Sequence, residues 1–416
     1  MENERRVVVT GLGTVCPVGN TVDDYWKAIV KGKSGIGKIT KFDASDFKTQ
    51  IAGEIKNFDP EPIIDAREAK RMDLFSQYAL YAAAEAIEKS GLDYKNEDSF
   101  NIGVIVGSGI GGINVLEKTN ETYLTKGHSR VSAFYISGMI TDMASGHIAM
   151  SYGFRGPNFA TTSACASGAH AIGSSYYAIL RGDADVMITG GSEGSISPTS
   201  LAGFTNIKAL SRRNDEPEKA ARPFDIDRDG FVMSEGAGII VLEELDHALK
   251  RGATILAEMT GAGYTADAYH ITAPHPEGIG AARAMENAIA RSGKTKGDVD
   301  YINCHCPSTP AGDAAEVMAI KTVFGDRAYD ISLSSTKSMI GHLLGAAGAI
   351  EFIATVLTIK HGIITPTINC ENQDPACDLN CTPNVAVEKE VNFALSNSFG
   401  FGGHNATLAL QKYSDG

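Results

Sequence analysis

The chain of 416 residues contains 37 lysines and arginines against 50 aspartates and glutamates, which gives a formal net charge of −13. This acidic balance excludes a nucleic-acid partner, because contacts with phosphates need a basic surface. The length exceeds the about 250–300 residues at which one hydrophobic core stops growing, so we expect two domains or two fused halves.

Signals for export or membrane insertion do not stand out in the sequence. The start, MENERRVVVTGLG, passes from charged residues directly into a predicted strand, without the apolar region of a signal peptide. No uncharged apolar run reaches the about 18 residues of a membrane span. Seven cysteines without the spacing of a small disulfide scaffold fit a reducing compartment. We therefore expect a cytoplasmic protein with no membrane span.

Residues 1–250 show strands and helices in alternation. Short β-branched runs predict strands over residues 6–12, 102–106, 185–191 and 238–242. Apolar residues at helical spacing predict helices over residues 22–30 and 69–90. The GSGIGG turn at 107–112 is a weak dinucleotide-binding signal, because no acidic residue follows a partner strand in the required place. The polar segment 211–235 predicts a long ordered loop, which is usually functional.

The same pattern starts again near residue 251. Strands are predicted over residues 255–260, 301–304, 331–335, 391–397 and 405–411, and helices over residues 280–292, 313–324 and 341–360. A Gly/Ala-rich helix occurs in each part, after TTSACASGAHAIGS in the first and within SSTKSMIGHLLGAAGAIE in the second. We therefore predict an α/β fold of two similar halves, residues 1–250 and 251–416, that arose by internal duplication.

Cys165 occupies the centre of this scheme, where a predicted strand turns into the first Gly/Ala-rich helix. A helix that is apolar on every side is normally buried, and its first turn presents free backbone N–H groups and the positive end of the helix dipole. A cysteine at that position is expected to have a lowered pKa and to react as a thiolate. The alternative is an inert packed thiol, since cysteine is among the most often buried residues.

Three further residues favour the reactive alternative. If the halves are pseudo-symmetric, the N-termini of the two Gly/Ala-rich helices meet, which brings Lys337 and His342 towards Cys165. His305 follows the predicted strand 301–304, at the strand end where ligands gather in α/β sheets. A lone histidine is more often a hydrogen-bonded core residue. Together, however, these residues provide a nucleophile, proton carriers and donors to a developing oxyanion.

Four motifs resemble the β-ketoacyl-[acyl carrier protein] synthases, and their type II more closely than types I or III. They are TTSACASGAHAIG, RPFDIDRDGFVMSEGAG, STKSMIGHLLGAAGAIE and SNSFGFGGHNATL, and the similarity extends over essentially the whole chain. The resemblance implies a thiolase-like fold, layered α-β-α-β-α around two buried central helices. It also implies a homodimer that needs no cofactor, has an acyl carrier protein as partner and extends fatty acyl chains by two carbons in a decarboxylating Claisen condensation.

The same resemblance implies a role for each site residue. Cys165 takes the acyl group from a phosphopantetheine thioester. His305 and His342 stabilise the enolate that remains when the malonyl carrier loses carbon dioxide, and Lys337 maintains the electrostatics of the site. The backbone N–H groups of Cys165 and Phe401 form the oxyanion hole.

Further positions are implied by the resemblance alone. Phe401 acts as a gate on the GFGG glycines, and Ile110 guards the acyl pocket. Positions that hold a monovalent cation in some family members correspond to Asn303, Glu351, Ser396 and Asn397. Positions that dock the acidic carrier protein correspond to Lys70, Arg71 and Lys208. The alternatives are a buried hydrogen-bond network for the first set and ordinary solvated surface for the second.

One segment departs from the family pattern. Where relatives have His-Gly-Thr-Ser-Thr or His-Ala-Thr-Ser-Thr, this chain has HCPST over residues 305–309. Thr309 is retained as a pantetheine contact, but Pro307 replaces a second hydroxyl, so we expect pantetheine binding to be weakened or re-routed. Cys304 and Cys306 flank His305, but adjacent side chains of a strand point to opposite faces, which argues against one shared zinc ion.

Two rival functions remain open on the sequence. A polyketide-type ketosynthase has the same fold and the same Cys-His-His set. A different class is a chain-length partner without catalysis, or an enzyme that decarboxylates without condensing; Cys165 argues against the partner, and the HCPST segment keeps both open. A thiolase needs a second cysteine as base, and a type III synthase an asparagine in place of His342, and neither pattern is present.

Overall fold

The computed structural model describes residues 5–414. Over this part of the chain ten strands form one mixed sheet: β1 Val7–Val15, β2 Ile102–Gly107, β3 Asn158–Thr161, β4 Val186–Glu193, β5 Gly236–Glu244, β6 Ala257–Ala266, β7 Tyr301–Asn303, β8 Ser332–Ser334, β9 Phe393–Gly400 and β10 His404–Gln411. Two small ladders pair Gly37–Lys38 with Ile51–Ala52 and Ile363–Ile364 with Val387–Glu388.

The longer helices among the described residues are α1 Val22–Val30, α2 Leu74–Ser90, α3 Ile113–Lys126, α4 Met143–Tyr152, α5 Ser167–Leu180, α6 Pro198–Asn206, α7 Ile279–Arg291, α8 Pro310–Phe324 and α9 Ala347–His361. Shorter α-helical segments are Ala66–Ala69, Tyr135–Met139, Leu245–Lys250 and Lys337–Ile340.

The sheet consists of two halves with the same strand order. The complete order is β8-β7-β9-β10-β6-β1-β5-β4-β2-β3. In each half the third strand is at the edge, followed by the second, fourth, fifth and first. The first strands, β1 and β6, join the halves antiparallel through three residue pairs. The predicted internal duplication requires the same strand order in both halves. The division into residues 1–250 and 251–416 stays a prediction, since one sheet runs through both parts.

Helices α5 and α9 lie between the two halves and form the central layer. Helix α5 packs against β4 and β2 of its own half and against β10 of the other, and α9 packs against β9 and β5. Helices α2 and α4 cover the outer face of the first half, and α7 and α8 that of the second. The predicted order of layers, α-β-α-β-α around two buried helices, is confirmed.

The segment Leu344–His361 is the single helical stretch in residues 5–414 that is long and apolar enough to cross a membrane. Its mean hydropathy is 1.2 over 18 residues, and 89% of it is buried inside the protein. It is therefore the core helix α9, whose apolar surface is covered by both halves of the sheet.

The predicted helix boundaries differ from the structure in two places. Helix α2 begins at Leu74 rather than residue 69, because Asp73 is extended and its carboxylate accepts hydrogen bonds from Asn114 Nδ2 and Val115 N at 3.0 and 2.8 Å. Helix α9 begins at Ala347 rather than residue 341, because Gly341 adopts a φ of +72° that ends the preceding turn. Lys337 and His342 consequently precede the helix.

Three helices, α3, α4 and α6, were not predicted from the sequence, and strand β3 was expected before Cys165 but without bounds. Helix α3 has no fully buried residue, so its sequence lacks the apolar stripe from which a helix is recognised. Strand β3 has four residues and lies at the sheet edge with half of them exposed. Elements that bury little apolar surface leave little periodicity in the sequence.

We expect Gly348→Ala to destabilise the protein by about 1–3 kcal/mol, the usual cost of overpacking a core. A Cβ atom at Gly348 in α9 would lie 2.9 Å from the Cβ and 3.0 Å from the backbone nitrogen of Ala169 in α5. The control is Gly203→Ala in α6, where no atom lies within 4 Å and which we expect to stabilise the protein by about 0.5–1 kcal/mol. Urea unfolding measures both; equal effects would contradict the tight helix crossing.

Candidate active site

Cys165 is held by a sharp turn between β3 and α5. Ala164 adopts a left-handed φ of +51°, and helix α5 begins two residues after the cysteine. Ser167 fixes the turn, since its hydroxyl donates to Ala164 O at 2.7 Å and accepts from Ser163 N at 2.9 Å. Gly400 lies directly behind, where a Cβ atom would come within 2.9 Å of Cys165 N. The predicted strand-to-helix position of the thiol is confirmed, and the thiol is partly exposed.

His342 is positioned by the long loop 211–235 that the sequence predicts to be ordered. Its backbone N–H donates to Val232 O at 2.8 Å, and its carbonyl accepts from Ser234 N at 2.9 Å. His305 follows β7 and is positioned by the buried carboxylate of Glu316 in α8, which accepts from His305 N at 3.0 Å. Both histidines are therefore fixed through their backbones and keep their rings free.

The structure brings Cys165, His305 and His342 together as predicted. Cys165 Sγ lies 3.0 Å from His342 Nε2. The two imidazole rings lie 5.3 Å apart, centroid to centroid, at 81°. One sulfur or nitrogen atom from each of the three side chains lies within 4.8 Å of the other two. A thiol in contact with one imidazole and close to a second is arranged for proton transfer and for binding a developing negative charge.

A cavity of about 370 Å³ opens onto this cluster. Its walls are mainly apolar. They include Cys165, His305 and His342. Five further residues also line the cavity: Pro307, Thr309, Glu316, Lys208 and Phe401. Phe401 contributes its ring to the wall, 6.3 Å from the ring of Phe204, while its backbone N–H is directed at Cys165. The cavity is large enough to admit a narrow chain to the thiol.

The pKa of Cys165 differs from the predicted one. Burial raises the pKa of Cys165 to about 11, although the charge of Lys337 and the N–H of Phe401 oppose this shift. The expected lowering of the pKa by the helix N-terminus is therefore wrong for this state of the protein, because loss of water outweighs it. Burial and Lys337 lower the pKa values of His305 and His342 well below the usual value. Both histidines are neutral at pH 7, and the thiol needs one of them as a base.

Lys337 is fully buried and forms an ion pair with Glu351. Both side chains are 1% exposed, and burial raises the pKa of Glu351 to about 7 even though Lys337 lowers it. Lys337 does not line the cavity. It lies behind the histidines, where its positive charge disfavours imidazolium and favours thiolate.

The four predicted cation ligands differ in their availability. Among the described residues, both side-chain atoms of Asn303 and one oxygen of Glu351 lack hydrogen-bond partners, and Ser396 pairs with Asn303 in the sheet. Asn397 is committed, because its side chain donates to Glu316 at 3.0 Å and accepts from Thr407 at 2.8 Å. Orphaned oxygens suit a hard cation. The donor set therefore fits an ion, with the side chain of Asn397 excluded.

The HCPST segment is held by two carboxylates of α8. Glu316 accepts from the N–H groups of residues 305 and 306 at 3.0 and 2.8 Å, and Asp313 accepts from those of residues 308 and 309 at 3.1 and 3.2 Å. The Thr309 hydroxyl caps α8 by accepting from Gly312 N at 3.2 Å. Pro307 forms part of the cavity wall. Cys304 and Cys306, which flank His305, group with Glu316 rather than with the His305 ring.

The remaining predicted residues are more scattered. Ile110 packs in one apolar cluster with Leu344 and Phe204, which do line the cavity, but Ile110 itself does not line it. Lys208 lies on the cavity wall with a φ of +58°. Lys70 and Arg71 are exposed before α2, and Arg71 lies over the ring of Phe134 at 4.5 Å.

Two functional carboxylates were missed in the sequence. Glu316 positions the strand end that carries His305. Glu193, fully buried at the end of β4, accepts from Gly109 N at 2.9 Å and Gly345 N at 3.0 Å, so that it ties the GSGIGG turn to the entry of α9. Burial raises the pKa of Glu193. The sequence signal for Glu193 was a charged residue after a continuous apolar strand, within GGSEG.

Comparison with known proteins finds matches over most of the chain. A family model described as beta-ketoacyl synthase, N-terminal domain matches residues 4–248, and one described as beta-ketoacyl synthase, C-terminal domain matches residues 256–371. The chain is 52% identical over 410 residues to 3-oxoacyl-[acyl-carrier-protein] synthase 2 of Synechocystis sp., covering 99% of each protein. It is 50% identical over 412 residues to the protein of the same name in Coxiella burnetii, covering 99% of this chain and 100% of the relative.

Solved structures agree with these matches. The ishigamide ketosynthase/chain length factor superposes with a TM-score of 0.93 at 35% identity, and a beta-ketoacyl synthase from Burkholderia phymatum with 0.92 at 32%. Each comparison covers 99% of this chain and 100% of the other. The fold and site thus define an acyltransferase of the thiolase-like class. The chain belongs to the beta-ketoacyl synthase family.

We expect Lys337→Met to cost about 3–5 kcal/mol of stability, because it leaves Glu351 as an uncompensated buried charge. The double variant Lys337→Met/Glu351→Gln should recover much of that loss. The control is Lys412→Met, which removes the exposed pair with Glu390, whose side chains are 53% and 68% exposed; it should cost at most about 1 kcal/mol. Urea unfolding measures all three. An equal cost for the single and double variants would contradict the compensation.

Proposed function

We propose that the protein is a 3-oxoacyl-[acyl-carrier-protein] synthase of type II, which elongates fatty acyl chains by a decarboxylating Claisen condensation. The observation that carries this proposal is the contact of 3.0 Å between Cys165 Sγ and His342 Nε2, with His305 in the same cavity. Relatives that bear this name reach 49–52% identity over the whole chain. Three solved structures, one of them titled as type II PKS, are 32–35% identical, and the higher identity to relatives named 3-oxoacyl-[acyl-carrier-protein] synthase 2 supports the fatty-acid enzyme over a polyketide one.

In the first half-reaction Cys165 takes the acyl group. The thiol proton passes to His342 Nε2, and the sulfur attacks the carbonyl carbon of the incoming thioester. The N–H groups of Cys165 and Phe401 receive the negative charge that develops on the carbonyl oxygen. The carbon–sulfur bond to the carrier breaks, and the departing pantetheine thiol takes the proton back from His342. Both histidines are then neutral again.

In the second half-reaction the malonyl thioester loses carbon dioxide. The electron pair of the broken carbon–carbon bond forms an enolate, whose oxygen accepts a hydrogen bond from the ring N–H of His305 and one from His342 in the tautomer that carries its proton on Nε2, the opposite of the tautomer that accepts the thiol proton. Both imidazoles are neutral in this step, because burial and Lys337 lower both pKa values. The enolate carbon attacks the acyl carbonyl, the carbon–sulfur bond to Cys165 breaks, and the thiolate that leaves takes up a proton from solvent to restore the resting thiol. Each well-placed donor contributes about 3 kcal/mol to stabilising such a charge.

The cavity walls suggest how the carrier reaches the thiol. A phosphopantetheine arm enters past Lys208, Phe401 and Thr309, which line the cavity that leads to Cys165. The Thr309 hydroxyl oxygen accepts a hydrogen bond at the start of α8, so its O–H remains able to donate to the arm. The acidic carrier protein docks against the basic residues Lys70, Arg71 and Lys208, which stand out in a chain of net charge −13. A type II PKS acyl-carrier protein in complex with its ketosynthase has been solved in a structurally similar assembly.

Two features support the predicted homodimer. Strand β3 lies at the sheet edge with an unpaired side, and such edges are normally covered. Large apolar side chains are exposed on and before this strand: Tyr123, Leu124, Phe134, Ile136, Met150 and Phe159, at 45–80% exposure. Pairing of β3 with its copy in a second chain would bury them. We include in the same proposal a cytoplasmic location and a monovalent cation beside Asn303 and Glu351. The reaction itself needs no organic cofactor.

A labelling experiment tests the function. Incubation with a carrier protein that bears a radioactive acyl chain should place the label on Cys165, as peptide mapping would show. Cys165→Ala should abolish both labelling and condensation. His305→Ala should still be acylated, because His342 contacts the thiol, but should lose condensation by about 10²–10³-fold. Absence of label on Cys165 in the unsubstituted protein would refute the condensing mechanism.

A second experiment tests the pantetheine site. Pro307→Thr restores a hydroxyl on the cavity wall, so we expect the Michaelis constant for the malonyl carrier to fall by about 3–10-fold, the effect of one neutral hydrogen bond, with kcat little changed. The control is Pro274→Thr, which changes another proline of the cavity wall. An unchanged Michaelis constant in Pro307→Thr would show that the arm does not pass this residue.

A further inference from the structure

Two groups of potential metal ligands lie on opposite faces of the segment after β7. On one face His305 joins Cys165 and His342, and on the other Cys304 and Cys306 join Glu316. In each group one ligand atom from every residue lies within 4.8 Å of the others. Alternation along the strand therefore excludes the Cys-His-Cys combination but creates two other sets.

The group with Glu316 is already satisfied by hydrogen bonds. Its carboxylate accepts from two backbone N–H groups, from the Cys306 thiol at 3.2 Å and from Asn397 Nδ2 at 3.0 Å. Cys304 and Cys306 are both 0% exposed and, unlike Glu316, do not line the cavity. A metal ion there would have to displace these bonds.

The group with Cys165 has both room and free ligands. It opens onto the cavity of about 370 Å³, and all three residues line that cavity. Tetrahedral zinc with bonds of about 2.0–2.3 Å holds its ligand atoms about 3.3–3.8 Å apart. The observed separations, from 3.0 Å up to at most 4.8 Å, bracket that spacing.

We propose that Cys165, His305 and His342 form a reversible Zn²⁺ site that blocks acylation of the thiol when it is filled. The sulfur–zinc bond forms as the thiol proton leaves to solvent, two imidazole nitrogens complete the protein ligands, and a water molecule from the cavity takes the fourth position. No oxidation or reduction occurs. Three protein ligands and one open position are the arrangement of zinc sites that keep an exchangeable ligand.

The ion pair behind the site limits the repulsion that a metal cation would meet. Lys337 opposes a second positive charge nearby, and its ion pair with Glu351 reduces that opposition. The thiolate then offsets one of the two charges of the metal. Binding needs only this geometry, whereas the inhibition rests on the proposed function, so the two are tested separately.

Binding is tested with Co²⁺, which takes zinc ligand sets and reports a thiolate bond by near-ultraviolet charge-transfer absorption. The metal-free protein, kept reduced with a phosphine, should bind about one Co²⁺ per chain, and Zn²⁺ should displace it. Cys165→Ala should lose the charge-transfer band, and His305→Ala should weaken binding by at least about 100-fold. The matched control Cys304→Ser/Cys306→Ser, on the other face of the same segment, should bind as the unsubstituted protein does.

Circular dichroism and thermal unfolding show whether each variant is folded, so a lost band can be assigned to the ligand. A band that survives in Cys165→Ala, or disappears in Cys304→Ser/Cys306→Ser, would overturn the proposal in favour of the buried group. If the unsubstituted protein shows no charge-transfer band, neither group of ligands binds the metal through a thiolate, and the proposal is wrong. Failure of the condensation assay together with intact Co²⁺ binding would refute the proposed function alone.

Inhibition is tested by iodoacetamide and by condensation. Zn²⁺ should slow alkylation of Cys165 in the unsubstituted protein and in Cys304→Ser/Cys306→Ser to the same extent, and a chelator should restore the rate. Condensation should fall over the same zinc concentrations. Alkylation that is unaffected by a saturating concentration of bound metal would show that the ion lies elsewhere.

Discussion

The close crossing of α5 and α9 is the contact on which the rest of the structure depends. A Cβ atom at Gly168 would lie 3.2 Å from the Cβ of Ala349, and one at Gly348 would lie 2.9 Å from that of Ala169, so each helix offers the other a glycine. Because the crossing lies at the helix N-termini, it draws Cys165 and the segment with His342 to one point. The two halves thereby form one site across their interface.

Burial, rather than the helix N-terminus, sets the charges of that site. Exclusion of water keeps the thiol protonated and the histidines neutral, and the positive charge of Lys337 is held by Glu351. A neutral pair of imidazoles can pass the thiol proton in one step and donate to an enolate in the next.

Sequence reasoning predicted the parts of the molecule that bury continuous apolar surface or carry reactive groups. The two central helices, the duplicated order and the set of Cys165, His305 and His342 were all predicted, because each leaves a periodic or chemical signal. Helix α3 could not be predicted, since it has no buried residue, and strand β3 could be expected before Cys165 but not given bounds, since half of it is exposed. Glu193 and Glu316 act through backbone N–H groups, which exist at nearly every residue, so nothing in the sequence marks their partners.

The same backbone contacts explain why the HCPST segment can differ without loss of the site. Glu316 holds the two N–H groups before Pro307, and Asp313 holds the two after it. Position 307 is the one place in the segment where α8 accepts no N–H, and proline has none to offer. Proline is therefore compatible with the loop that positions His305. Pro307 lies on the cavity wall, and the backbone contacts that position His305 do not involve it.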